Sequence, residues 1–149
     1  MKIPFSPPYV DQDIINEVVD TLESGWITTG PKVKALEEET CKLTGVSNAL
    51  CVNSWTSGAI LILKWFGVKE GDEVIIPAYT YSATALAVLH CGAKPVMVDV
   101  YEDFTVNPSK IKEAITSKTK VIMPVDIAGL PCDYDEINKI VNDKEVIAQ

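Results

Sequence analysis

Two short apolar runs, Val74-Ile75-Ile76 and Val121-Ile122-Met123, restrict the possible folds of this chain more than any other feature. A strand with one wet face alternates apolar and polar side chains, whereas a continuously apolar strand is covered on both faces. Helical periodicity surrounds both runs, so the expected architecture is α/β, a mostly parallel sheet flanked by helices. Helices are predicted over residues 11–24, 31–45, 56–66, 82–91, 108–115 and 134–141. In the first, Ile14, Ile15, Val18, Val19 and Leu22 share one face and Gly25 stops the run. Strands are predicted over 49–52, 73–76, 95–100 and 120–125. Residues 1–10, rich in proline, read as an extended arm.

Composition narrows the function. With 149 residues and 47% hydrophobic content, the chain is long enough for one well-packed core. The net charge is −8 and every one of the 13 basic residues is a lysine, a poor basis for gripping nucleic acid phosphates. No apolar run approaches the ~18 residues of a membrane span, and the first residues lack a signal-peptide core. Cys41, Cys51, Cys91 and Cys132 contain no Cys-x-x-Cys pair. Reduced, mostly buried thiols and a cytoplasmic location are therefore expected, with no metal site.

In parallel sheets, ligands bind beyond the carboxyl ends of the strands. Three predicted turns lie there: 53–58, 77–81 and 125–131. In the first, Asn53-Ser54-Trp55-Thr56-Ser57-Gly58 opens directly into an apolar helix. Free amides and the helix dipole at such a point attract an anion such as phosphate. Equally, Ser54, Thr56 or Ser57 can be a plain helix cap. Tyr79 and Tyr81 in the second turn either stack on a planar ligand or pack locally. Asp99 and Asp126 end strands, where a carboxylate binds a hydroxyl or merely shapes a turn. His90 is the sole histidine and falls at a helix end. Together with the absence of Gly-x-Ser-x-Gly, this argues against serine hydrolysis. Gly-x-Gly-x-x-Gly and the P-loop pattern are also absent, which disfavours nicotinamide and nucleoside-triphosphate chemistry.

Four stretches taken together resemble the DegT/DnrJ/StrS family of pyridoxal-phosphate-dependent nucleotide-sugar aminotransferases. They are Ser24-Gly25-Trp26-Ile27-Thr28-Thr29-Gly30-Pro31, the Asn53–Gly58 turn, Gly71 to Thr84, and Gly92 to Val100. The resemblance implies the large domain of the aspartate-aminotransferase-like fold (fold type I for this cofactor). It divides the chain into an arm and helix, residues 1–30, and the first part of the cofactor-binding domain, residues 31–149. It further implies transfer of an amino group, usually from glutamate, to a keto group of a nucleotide-linked sugar. A homodimer or higher oligomer and a place in polysaccharide biosynthesis follow from the same likeness.

By the same resemblance, Thr56 and Ser57 hold the phosphate of pyridoxal 5′-phosphate and Tyr81 stacks on its ring. Trp26, Thr28 and Thr29 line the substrate pocket. Trp55 departs from the family pattern, standing where a glycine is usual. The family's Schiff-base lysine and its pyridine-pairing acid match nothing in residues 1–149, so no catalytic residue is assigned. The chain is expected to be the amino-terminal part of such an enzyme and inactive by itself. Two alternatives remain: a non-catalytic regulatory or binding module, and a sugar 3-dehydrase of the same family.

Overall fold

The computed structural model describes residues 7–144 and 147–148. The chain divides into two compact units, residues 1–51 and 52–149. The first six residues of the expected arm lie outside the described residues, while 7–10 are exposed coil.

The first unit contains two helices. Helix α1 (Gln12–Glu23) begins where the Asp11 carboxylate accepts the Ile14 N–H at 2.9 Å, satisfying an amide left free by the first turn. Helix α2 (Pro31–Thr44) starts with proline in its first turn and ends at Gly45, whose φ of 76° suits a residue without a side chain. Lys32 of α2 pairs with Glu17 and, at 2.8 Å, with Asp20 of α1. These are exposed pairs and contribute little. The expected apolar face of α1 is present but not covered: Ile14, Ile15, Val18, Val19 and Leu22 are 42–63% exposed.

Between the helices, the Trp26 indole Nε1 donates to the Thr29 carbonyl at 2.9 Å. A Cβ added at Gly30 would lie 2.3 Å from that nitrogen. Gly30→Ala is therefore expected to expel the indole and break this bond, at a cost of about 1 kcal/mol. Denaturant titration measures the loss, and tryptophan emission compared with Trp26→Phe identifies the ring that moved.

The second unit is a parallel sheet between two layers of helix. After helix α3 (Trp55–Trp65) come strand β1 (Glu73–Pro77), helix α4 (Ser82–His90) and strand β2 (Lys94–Val98). Helix α5 (Pro108–Ala114), strand β3 (Thr119–Ile122), helix α6 (Tyr134–Lys144) and the short strand β4 (Ile147–Ala148) complete it. The sheet order is β2-β1-β3-β4 and every pairing is parallel. The apolar triplets behave as their composition demands. Val74, Ile76, Val121 and Met123 pack with Leu63 of α3 and Ala87 and Val88 of α4. Ile75 and Ile122 join Ile111 of α5 and Ile137 of α6 on the opposite face. Adjacent residues point to opposite sides of a pleated strand, so each triplet serves two cores.

Three expectations are corrected. Residues 49–52 do not form a strand. A strand requires a ladder partner, and this segment finds none among the described residues; the Cys51 N–H instead meets the Glu37 carboxylate at 2.8 Å. The segment predicted over 95–100 is a strand only to Val98, after which Val100 makes an isolated antiparallel bridge to Val106. Of the four cysteines, all free, only Cys132 is buried.

Glu73 is a charged residue inside this apolar arrangement, 8% exposed at the amino end of β1. Its Oε1 lies 3.1 Å from Lys94 Nζ on β2, and its Oε2 accepts from Thr116 Oγ1, just before β3, at 2.7 Å. One carboxylate thus ties the central strand to both neighbours at the end of the sheet opposite the candidate site.

Candidate functional site

Strand β1 leaves the sheet through α4 towards β2, whereas β3 leaves through α6 towards β4 on the other side. The connections diverge between the carboxyl ends of β1 and β3, which opens a crevice at that point. A cavity of about 550 Å³ lies there. Its size falls within the range of small-molecule sites. Trp55 and Thr56 line it from the start of α3, Thr80 and Tyr81 from the end of β1, and Asp126 and Tyr134 from the connection after β3.

The start of α3 supplies donors. Ser54 is extended (φ −161°, ψ 157°), and its hydroxyl accepts the Ser57 N–H at 3.1 Å while donating to Ser57 Oγ at 3.0 Å. Gly58 N–H returns to the Ser54 carbonyl at 3.2 Å. The cap reading of this turn holds, and it leaves donors free beside it. Ser54 caps the helix, and among the described residues the Trp55 and Thr56 N–H groups have no protein acceptor. These amides and the positive end of an 11-residue helix favour an anion. Ser57, the other residue expected at the phosphate, spends its amide on the cap and does not line the cavity.

The two tyrosines separate. Tyr79 stacks on Phe104, ring centroids 4.6 Å apart and tilted by 31°, whereas Tyr81 lines the cavity and is 80% exposed. Trp26, Thr28 and Thr29 belong to the first unit, where Trp26 and Thr29 bond to each other. His90 is exposed at the end of α4. Asp99 accepts the Val100 N–H at 2.9 Å, a turn role.

Asp126 and Tyr134 form a polar pair that sequence reasoning did not join. Asp126 Oδ1 accepts the Cys132 N–H at 2.9 Å and the Tyr134 hydroxyl at 3.0 Å. The Cys132 amide first, then the phenol, hold the carboxyl below the usual carboxylate range against an opposing desolvation of this exposed residue. Burial, followed by the bond to Asp126, pushes the Tyr134 phenol up to about 12. At neutral pH the pair is a carboxylate beside a neutral phenol. Between them, Ala128 adopts a left-handed conformation (φ 51°, ψ 25°) within the short 3-10 turn Ile127–Gly129.

Residues 8–148 match the DegT/DnrJ/EryC1/StrS aminotransferase family. The chain belongs to this family. Among curated relatives, the spore coat polysaccharide biosynthesis protein SpsC of Bacillus subtilis is 42% identical over 136 residues, covering 91% of this chain and 35% of SpsC. Among solved structures, the sugar aminotransferase Spr1654 of Streptococcus pneumoniae, in its PMP-form, superposes with a TM-score of 0.90 at 50% identity. That match covers 97% of this chain and 36% of Spr1654, which is also known in a PLP-form. The Escherichia coli GDP-4-keto-6-deoxy-D-mannose-3-dehydratase with bound hydrated PLP gives 0.91 at 28% identity, covering 99% and 40%. The chain therefore spans little more than a third of the length of these DegT/DnrJ/EryC1/StrS relatives. The parallel sheet and its flanking helices are a part of the fold of these aminotransferases.

Proposed function

We propose that this chain is the phosphate- and ring-binding part of a pyridoxal-phosphate-dependent aminotransferase acting on a nucleotide-linked keto sugar, with glutamate as amino donor. The observation that carries the reading is the pair of unpartnered amides at Trp55 and Thr56, in the same cavity as the Tyr81 ring. Thr56 and Trp55 bind the cofactor phosphate through their N–H groups, with the Ser54–Ser57 cap holding the turn open. Tyr81 presents its face to the pyridine ring. When bound, the cofactor supplies the electron sink through which amine and ketone exchange.

The donor set fits a phosphorylated planar ligand. The lining holds no lysine among the described residues, so binding and orientation are what these residues perform. On the same reading Trp26, Thr28 and Thr29 belong to the sugar pocket, and the enzyme is a cytoplasmic homodimer in polysaccharide biosynthesis. No helix among the described residues is long and apolar enough to cross a membrane.

Trp55→Pro tests the phosphate cradle. Proline is tolerated at the first helical position, and Ser54 already has the extended backbone preferred before proline. The substitution deletes one free amide and leaves α3 intact; Trp55→Ala controls for the lost indole. Loss of a hydrogen bond to a charged group predicts cofactor affinity about tenfold or more below that of Trp55→Ala. Equilibrium dialysis with pyridoxal phosphate measures it, and absence of uptake by the unmodified protein overturns the reading. The likeness to the dehydratase supports a sugar 3-dehydrase as second reading. Product analysis with labelled glutamate, on a full-length enzyme that carries these residues, separates them, since only the aminotransferase moves the label onto the sugar.

A further inference from the structure

The bonding of Asp126 is lopsided. Oδ1 receives two donors, the Cys132 amide and the Tyr134 hydroxyl, while Oδ2 has no partner among the described residues. Oδ1 is thereby fixed, and the carboxylate lines the cavity that α3 supplies with free amides. Tyr134 has already committed its only proton to Asp126, so it adds acceptor lone pairs to the same wall. One part of the cavity offers donors to an anion; the loop after β3 offers acceptors. With those amides given to the cofactor phosphate, the acceptors of the loop after β3 are left for a ligand that carries hydroxyl groups.

We propose that Asp126, braced by Tyr134, is a specificity residue whose free oxygen accepts a hydroxyl of the substrate sugar. This rests on the proposed sugar-aminotransferase reading and adds to it a residue outside the phosphate cradle. Tyr134 is the positioning residue: its hydroxyl keeps Oδ1 occupied so that Oδ2 faces the ligand. Asp126 is exposed in the open cavity, so a sugar lacking the matching hydroxyl leaves the carboxylate to water and forgoes one hydrogen bond to a charged group.

The test titrates the cofactor-loaded protein with UDP-, GDP- and dTDP-glucose, each beside the bare nucleoside diphosphate. The quantity read is the gain in affinity due to the sugar. In the unmodified protein at least one pair is expected to show a gain, and Asp126→Ala to reduce it about tenfold or more. Affinities for the nucleoside diphosphate and for pyridoxal phosphate are expected to stay unchanged. Asp126→Asn retains an acceptor for Cys132 and Tyr134 and serves where the alanine variant does not fold. Tyr134→Phe is expected to reduce the gain more modestly and to move the acid limb of its pH profile upward, because Asp126 loses a donor that stabilises its charged form.

An unchanged gain in both Asp126 variants overturns the inference, as does the absence of any gain in the unmodified protein. Equal weakening of sugar-linked and bare nucleotides also overturns it, by showing a general structural effect. Failure of the unmodified protein to take up pyridoxal phosphate is a different result and sinks the aminotransferase reading itself.

Discussion

Ile75→Ala is expected to lower the stability of the second unit by about 2–5 kcal/mol, the range for removing a buried branched side chain whose site closes only partly. Ile75 is fully buried in the middle of the central strand and packs with Ile111, Ile122 and Ile137. Its backbone also carries the sheet: the Ile75 carbonyl accepts the Met123 N–H at 2.8 Å. Three deleted carbons leave a cavity bounded by β1, β3 and two helices that cannot all move inward. Since domains are stable by only about 5–15 kcal/mol, such a loss approaches the whole margin. Ile76→Ala removes an equal volume from the opposite core and is expected to cost a similar amount. Urea unfolding followed by circular dichroism gives both values. A cost below about 1 kcal/mol for either residue would contradict a sheet buried on both faces.

The second large effect is expected at Glu73. Glu73→Ala removes acceptors from Thr116 and Lys94 together and is expected to cost about 1.5–3 kcal/mol. Acid gives an independent handle. The Thr116 hydroxyl, then Lys94, hold the Glu73 carboxyl below its ordinary range. A carboxyl whose folded pKa is depressed stabilises the fold above its unfolded pKa, and that contribution disappears as pH falls through the folded value. The difference in urea midpoint between the unmodified protein and Glu73→Gln should therefore be full at neutral pH. It should begin to shrink as pH drops through the ordinary glutamate range near ~4.3 and continue shrinking below it. A difference that stays constant down to pH ~3 would remove Glu73 from the account of acid stability.

What could be read in the sequence was whatever local chemistry decides alone. Asp11, Pro31, Gly45 and Pro108 mark helix ends because capping needs only neighbouring residues. The triplets 74–76 and 121–123 announced strands buried twice over because no helix amphipathicity or one-sided strand explains them. Residues 49–52 show the limit. Their apolar composition is that of a strand, but pairing is a property of two segments, and among the described residues the second is missing.

The candidate site divides in the same way. The turn 53–58 could be picked out because small polar residues open directly into an apolar helix, and Tyr79 and Tyr81 because they follow the buried strand that ends at Pro77; only the family resemblance singled out Tyr81. Which amides stay free was not recognisable, since that depends on Ser54 choosing Ser57 as its partner. Asp126 was visible as a strand-end carboxylate. Its bonds to residues six and eight positions onward, through a turn containing a left-handed alanine, follow no periodicity.

The sheet order has a kinetic consequence. The cavity walls at Thr80–Tyr81 and Pro124–Ala128 come from distant stretches of chain that meet only when β1 and β3 pair. Such non-local parallel pairing is slow to form, because loop closure precedes the contacts that reward it. The cavity is therefore expected to form no earlier than this pairing, and an occupant that touches both walls to hold the pairing together. Amide hydrogens of Val121 to Met123, remote from the phosphate cradle in sequence, should then exchange more slowly when the cavity is filled.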